Sequence, residues 1–293
     1  DLTLETGGKG GTALDLDFSE QVDYGTIQPG WTNIWDRWSP RFRVERVHML
    51  GSDSRPRVAN HTTTGWDYGV LATAAMAGVV ADCSFVGWIN PATAVTSGSP
   101  GAFVFQGVNE TYQNGHPVEF TVRNSRVYYS GYGVRAINCE GVYVDTCPMI
   151  AVLVGVWFKS SVGHPYLRMV GCDTACYQYG VIGQNINDSI IDGNLFYQRP
   201  DTGQVFTGVF LDGGQGNKVC NNTVRGKFNA DRLTNGIVLG TGALHNVMGN
   251  NLMSCETGIW LQSGCTNTRV SQINTYWDCT NTLVDNGTGN ALL

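Results

Sequence analysis

A glycine followed by three mostly apolar residues recurs along this chain at a short, nearly regular interval, and such an internal period marks a linear array. The phrase reads Gly133-Val-Arg-Ala136, Gly155-Val-Trp-Phe158, Gly180-Val-Ile-Gly183, Gly208-Val-Phe-Leu211, Gly236-Ile-Val-Leu239 and Gly258-Ile-Trp-Leu261. Subtraction gives steps of 22, 25, 28, 28 and 22 residues between the glycines. Upstream, Gly69-Val-Leu-Ala72 and Gly101-Ala-Phe-Val104 extend the series with steps of 32. A second phrase keeps the same register: an apolar residue, two spacers, then Cys, Ser or Asn. It occurs at Val80/Cys83, Val122/Ser125, Val144/Cys147, Met169/Cys172, Ile191/Asn194, Val219/Asn222 and Val247/Asn250. The chain reads as a solenoid.

Each unit holds about three short β-type runs set off by Gly, Asn, Asp and Ser, and none holds an apolar period of helical length. The predicted fold is therefore all-β, a parallel β-helix of about eight or nine coils over residues 69–285, with strands about 4.8 Å apart along the axis. Within each Gly strand the second and fourth residues point inward, and the third and fifth point outward. The Cys/Ser/Asn position falls at the short turn between the second and third strands, where an Asn side chain can bond its neighbour and satisfy the bent backbone. Cys and Ser are expected to fill the same slot as small residues.

Composition fits a strand-rich stack with tight corners: 38 of 293 residues are Gly and only 14% are charged. The formal net charge is −6 with scattered basic residues, which argues against a nucleic-acid partner. No apolar run approaches the roughly 18 residues of a membrane span. The nine cysteines are odd in number and several sit at the inward corner, so they read as reduced packing residues. Cys172 and Cys176 have no second ligand pair nearby for zinc. No secretory signal is visible and the chain begins at Asp1, so it reads as an excised or processed piece.

Organisation is uneven. Residues 1–65 read as an irregular capping or loop segment containing the first strands, with Trp31, Trp35 and Trp38 among several arginines and an early strand over Phe42 to Leu50. Residues 66–293 form the β-helix body, interrupted by insertions at Ile89–Pro100 and Gly107–Pro117, and long loops on a rigid stack are often functional. After Asn286-Gly-Thr-Gly-Asn290 no further strand is expected.

Coils of 22–28 residues with a corner Asn position and Gly-started strands resemble the pectin-lyase-like right-handed β-helix superfamily. Within it, the irregular coil lengths and free cysteines resemble the central body of a bacteriophage tailspike. That resemblance implies a homotrimer on the virion tail that binds and cleaves the surface polysaccharide of a host bacterium. The domains that would trimerise it and join it to other tail proteins are missing from this sequence. The superfamily also holds lyases, epimerases and non-catalytic adhesins, so the fold alone does not choose among them. No pectate-lyase-type cluster of acidic residues with a nearby Arg is present.

The outward third position of the Gly strands carries Arg135, Trp157, Ile182, Phe210, Val238 and Trp260, and the fifth carries Lys159, Gln184, Asp212, Gly240 and Gln262. An outward apolar row is either a protein seam, here the trimer contact, or a sugar groove in which Trp and Phe rings stack on pyranose faces. Glycoside hydrolysis needs two carboxylates, about 5–5.5 Å apart if retaining and about 6.5–9.5 Å if inverting. Asp201, Asp231 and Glu256 lie in the loops entering successive Gly strands, and Asp212 lies on the strand itself. These four are the candidate acids. Arg199 and Arg232 stand beside Asp201 and Asp231, suited to an acidic sugar or to lowering a carboxylate pKa. Each acid has an alternative reading as a turn or surface residue. Glu110, Tyr112, Tyr177 and Tyr179 form a second tier. There is no Gly-x-Ser-x-Gly elbow for an esterase. The leading reading is hydrolysis of a bacterial surface glycan without cofactor or metal. The alternatives are a polysaccharide lyase, with Tyr or Lys abstracting a proton beside a uronate carboxylate, and a receptor-binding or structural protein.

Overall fold

A computed structural model describes residues 1–18, 41–51, 64–75, 77–88, 100–107, 119–161, 164–199, 204–227 and 234–293. All of its regular structure is strand, most of it short, and every ladder is parallel between successive coils. Each coil passes through three sheets in order. The first sheet holds the Gly strands, including Tyr68–Thr73, Gly101–Gln106, Tyr132–Ile137, Phe206–Asp212, Thr234–Leu239, Thr257–Leu261 and Asn281–Asp285. The second holds strands such as Gly141–Asp145, Tyr166–Val170 and Lys218–Cys220, and the third holds strands such as Leu195–Gln198, Thr223–Arg225 and Asn251–Met253. Two long strands, Pro148–Lys159 and Asp173–Gln184, run from the third sheet into the first without a loop, which merges those two sheets at mid-body. The result is a parallel β-helix.

The inward positions explain the phrases. Val134, Val156, Val181, Val209, Ile237 and Ile259 stack in one buried row. Facing them, the apolar member of the second phrase forms another row: Val80, Val122, Val144, Met169, Ile191, Val219 and Val247. Each such side chain taken from water stabilises the fold by about 1.5–3 kcal/mol. Phe105 and Phe120 stack across the core with ring centroids 4.3 Å apart.

Close approach, rather than a positive φ, fixes the repeated glycine. It sits where the third sheet bends into the first, with its missing side chain aimed at the core. A methyl on Gly208 would lie 2.7 Å from the carbonyl oxygen of Gly236 and 2.6 Å from Cγ1 of Val224. Gly133 stands in the same relation to Gly155 and Met149. The coil at 101 departs from the sequence reading by one residue. Gly101 pairs with Tyr68 and Tyr132, so Ala102 takes the glycine slot and Phe103 and Phe105 are the inward pair.

At the second-to-third corner the Asn ladder is present. Asn222 Oδ1 accepts from both the backbone N–H and the side-chain amide of Asn194, at 3.0 and 2.9 Å. Asn222 in turn donates to Ile191 O and to Asn250 Oδ1, at 2.9 and 3.0 Å. Asn250 repeats this toward Asn274. The amide reaches back to the carbonyl of the apolar residue one coil earlier, which couples the two members of the phrase. Cys172 N–H donates to Asn194 Oδ1 at 2.9 Å and Cys83 N–H donates to Ser125 Oγ at 3.1 Å, so Cys and Ser do share the slot. All nine cysteines are free.

The residue before the ladder position is left-handed in coil after coil: Asp82, Asn124, Thr146, Gly171, Gly193, Asn221 and Gly249. A second polar stack stands at the first-to-second corner, where Ser189, Asn217 and His245 are buried one above another. His245 Nδ1 lies 3.4 Å from Asn217 Nδ2, and its Nε2 is buried with no partner among the described residues.

Both ends extend the stack. Leu2–Thr6 pairs with Val47–Gly51, and Thr12–Asp17 with Tyr68–Thr73. The early strand expected over Phe42 to Leu50 is two strands, Arg41–Glu45 and Val47–Gly51, separated by the left-handed residue Arg46. The expectation of no strand after Asn286 is corrected: Ala291–Leu292 pairs with Arg269–Val270, and Asn290 Oδ1 accepts from Thr268 N–H at 2.9 Å. A two-residue strand carries too little alternation to be read from sequence. Trp31, Trp35 and Trp38, with most of both insertions, lie outside the described residues.

Replacing Asn222 with Leu strands buried groups on both neighbouring coils. It should cost on the order of 3 kcal/mol in urea unfolding, since each orphaned group costs about 1–3 kcal/mol. His245 gives a pH signature. Burial lowers its pKa from 6.5 to about 4. The unfolded chain therefore takes up a proton below about pH 6.5 that the folded chain refuses until about pH 4. Its contribution is complete above that window and is lost as pH falls through it, at about 1.4 kcal/mol per unit. His245→Asn should remove this part of the acid sensitivity, measured by urea midpoints between pH 7 and pH 4.

Candidate functional site

The outward side of the first sheet is built by register. Arg135, Trp157, Ile182, Phe210, Val238 and Trp260 pair in succession and form one continuous row. Beside it Ile137, Lys159, Gln184 and Asp212 form a second row. Trp157, Phe210 and Trp260 are half-buried, Lys159 is exposed, and Arg135 and Val238 are buried.

Tyrosines immediately before the glycines pack against these rings: Tyr179 is half-buried, whereas Tyr132 is fully buried. Tyr132 stacks on Trp157 with centroids 5.2 Å apart, while Tyr179 meets Phe210 at 6.2 Å. Arg135 lies 5.5 Å from the Tyr132 ring centroid. Burial pushes the Tyr132 phenol above its ordinary value, so it stays neutral. The Trp157 ring is fixed by its N–H donating to Gln184 Oε1 at 3.0 Å. Tyr132 was not among the sequence candidates, although the signal was there, since Tyr68, Tyr132 and Tyr179 each precede a glycine of the phrase.

The acids are not assembled among the described residues. Asp212 Oδ1 accepts from Thr241 N–H at 2.9 Å and from Thr241 Oγ1 at 2.7 Å, and so pins the turn that leaves the next coil. Glu256 is exposed at the opposite end of the strand, two coils on. Thr207 aligns with Asn235 and then Thr257, so Glu256 aligns with Phe206, and 212 − 206 places Asp212 six residues away. At about 3.3 Å per residue that is about 20 Å along the strand, beyond either glycosidase spacing. Asp201, Asp231 and Arg232 lie outside the described residues. Arg199 sits where the third sheet ends, its N–H bonded to Cys176 O at 2.8 Å and its guanidinium 6.0 Å from the Tyr177 ring centroid. Among the described residues no His, Cys, Asp or Glu group could hold a metal ion, and no helix is long and apolar enough to cross a membrane.

The sequence matches the family described as a right-handed β-helix region over residues 106–274, more than half of the chain. This chain belongs to the right-handed β-helix family. Among solved structures, the periplasmic alginate epimerase AlgG matches with a TM-score of 0.54 at 15% identity, covering 80% of this chain and 54% of the epimerase. A double mutant of that epimerase gives 0.55 at 16%, covering 86% and 56%. The chain thus spans a little over half the length of these epimerases, and at such identities the likeness establishes the fold. No curated protein sequence matches it.

The turn-holding role of Asp212 is separable from any chemistry. Asp212→Asn keeps an oxygen for both Thr241 donors and should shift stability by less than about 1 kcal/mol, whereas Asp212→Ala should cost about 1–3 kcal/mol. Urea midpoints of the two variants check this.

Proposed function

We propose that the chain binds an extended bacterial surface polysaccharide along the outward face of the first sheet and depolymerises it. The row in which Trp157, Phe210 and Trp260 alternate with Ile182 and Val238, flanked by the half-buried Tyr179 and bordered by Lys159 and Gln184, carries this reading. Half-buried rings on every second coil offer stacking surfaces along an extended glycan, and the neighbouring polar row offers partners for its hydroxyls. The same scaffold carries an alginate epimerase, so a glycan along this face is compatible with the architecture.

The finer proposal is glycoside hydrolysis in the manner of a tailspike on the virion tail, in a homotrimer. Its acids would come from Asp201, Asp212, Asp231 and Glu256. Because Asp212 and Glu256 stand too far apart to serve together, a hydrolytic pair must include Asp201 or Asp231. A lyase and a non-catalytic adhesin are the competing outcomes.

One experiment orders them. Surface polysaccharides are incubated with the protein, then assayed for new reducing ends, for ultraviolet absorbance and for retention on the protein. Hydrolysis gives reducing ends without absorbance, elimination gives both, and an adhesin retains glycan without shortening it. Trp157→Ala and Trp260→Ala should each weaken retention about tenfold, the scale of a lost aromatic contact. Unchanged retention in both, with light scattering giving a monomer, sinks the stripe as a ligand or subunit contact.

A further inference from the structure

The outward face of the third sheet holds a separate cleft of 490 Å³, lined by Asp173, Leu195, Tyr197, Gln198, Arg225 and Lys227, with Gly226 beside them. Register builds it from three consecutive coils. Asp173 pairs with Leu195 and Leu195 with Thr223, while Tyr197 pairs with Arg225 one step along. The intervening Thr174, Phe196 and Val224 point into the core and are fully buried, so the cleft has a rigid floor. Gln198 is held from both ends: its amide donates to Gln204 O at 3.1 Å and its Oε1 accepts from Thr234 Oγ1 at 2.7 Å.

The chemistry of the lining is specific. The chain as a whole carries a formal charge of −6, yet among the described lining residues two are cations, Arg225 and Lys227, and one is a carboxylate, Asp173. Arg199 adds a third positive charge close enough to influence the Tyr197 phenol. The Asp173 carboxylate has no hydrogen bond or ion pair among the described residues, and partial loss of hydration raises its pKa above the ordinary value. Leu195 and the Tyr197 ring give an apolar edge, and the volume falls in the usual range of about 300–1,000 Å³ for small-ligand sites.

We infer that this cleft is a binding site for a carboxylate-bearing sugar. Arg225 and Lys227 take the carboxylate, Asp173 accepts from ring hydroxyls, and Tyr197 with Leu195 covers the apolar sugar face. The site is distinct from the aromatic row on the first sheet and does not depend on that row binding glycan.

Isothermal titration of the whole chain with 1,4-linked tetragalacturonate, and with its fully methyl-esterified form, tests this. The free acid should bind saturably and lose affinity as salt rises, and the neutral ester should bind at least about tenfold more weakly. Lys227→Gln and Arg225→Gln should each weaken the acid about tenfold or more, as expected for charge-assisted hydrogen bonds. Lys218→Gln, which removes an exposed cation on the second sheet, should leave it unchanged. Thermal melting checks that each variant is folded. Should Arg225→Gln melt early, Lys227→Gln alone carries the test. No saturable binding of the acid, equal binding of acid and ester, or wild-type affinity in folded Lys227→Gln would overturn the proposal. A loss in Lys218→Gln matching that in Lys227→Gln would overturn the cleft as the site.

Discussion

The structure depends on one constraint: consecutive coils must stack at strand spacing even where the backbone turns a corner. Between strands the main chain meets this unaided. At a tight corner the peptide groups rotate away from the neighbouring coil, and their N–H groups are buried. The Oδ1 atoms of Asn194, Asn222, Asn250 and Asn274 accept the N–H of the preceding ladder residue, from Cys172 to Asn250, and so replace the missing main-chain acceptor. Each amide also reaches back to a carbonyl of the coil before. Buried polar groups left unpaired at every coil would erase the gain from the core.

The same constraint explains why inside and outside differ so much in legibility. Inward and corner residues are fixed by neighbours on both sides, so they repeat and could be read. Deviations appear where the period slips. Asn274 follows Val270 by four residues instead of three, and the phrase misses it although its amide closes the ladder. Ala102 stands in for a glycine because the slot there accepts a methyl, so a search for Gly finds Gly101 one residue early. The second polar stack was hidden for another reason. Ser189, Asn217 and His245 are different residue types, united by burial rather than by identity.

Outward residues obey no such rule, and the candidate site was legible only in part. The third and fifth positions of the Gly strands could be placed on the outer face because alternation is geometric, and Arg135, Trp157, Phe210, Trp260 and Lys159 fall there. Sequence order says little about distance along a strand. Asp212 and Glu256 look like neighbours in a list of coils, yet they occupy opposite ends of their strands. Conversely, Asp173, Tyr197 and Arg225 come from three coils and share no phrase, and only the register of the third sheet brings them to one cleft.

Two faces of one rigid stack thus present different chemistry without altering the core between them. The first sheet exposes rings whose orientation is locked by neighbours, as Gln184 locks Trp157. The third sheet exposes cations over a floor of buried Thr174, Phe196 and Val224. Since the inward residue alternates with each outward one, a substitution on either face changes the surface without removing a core contact. The scaffold therefore bears the cost of stability at its corners and leaves its outer faces open to chemical variation. On such a fold, function follows from which outward side chains lie side by side in successive coils, and the register decides that.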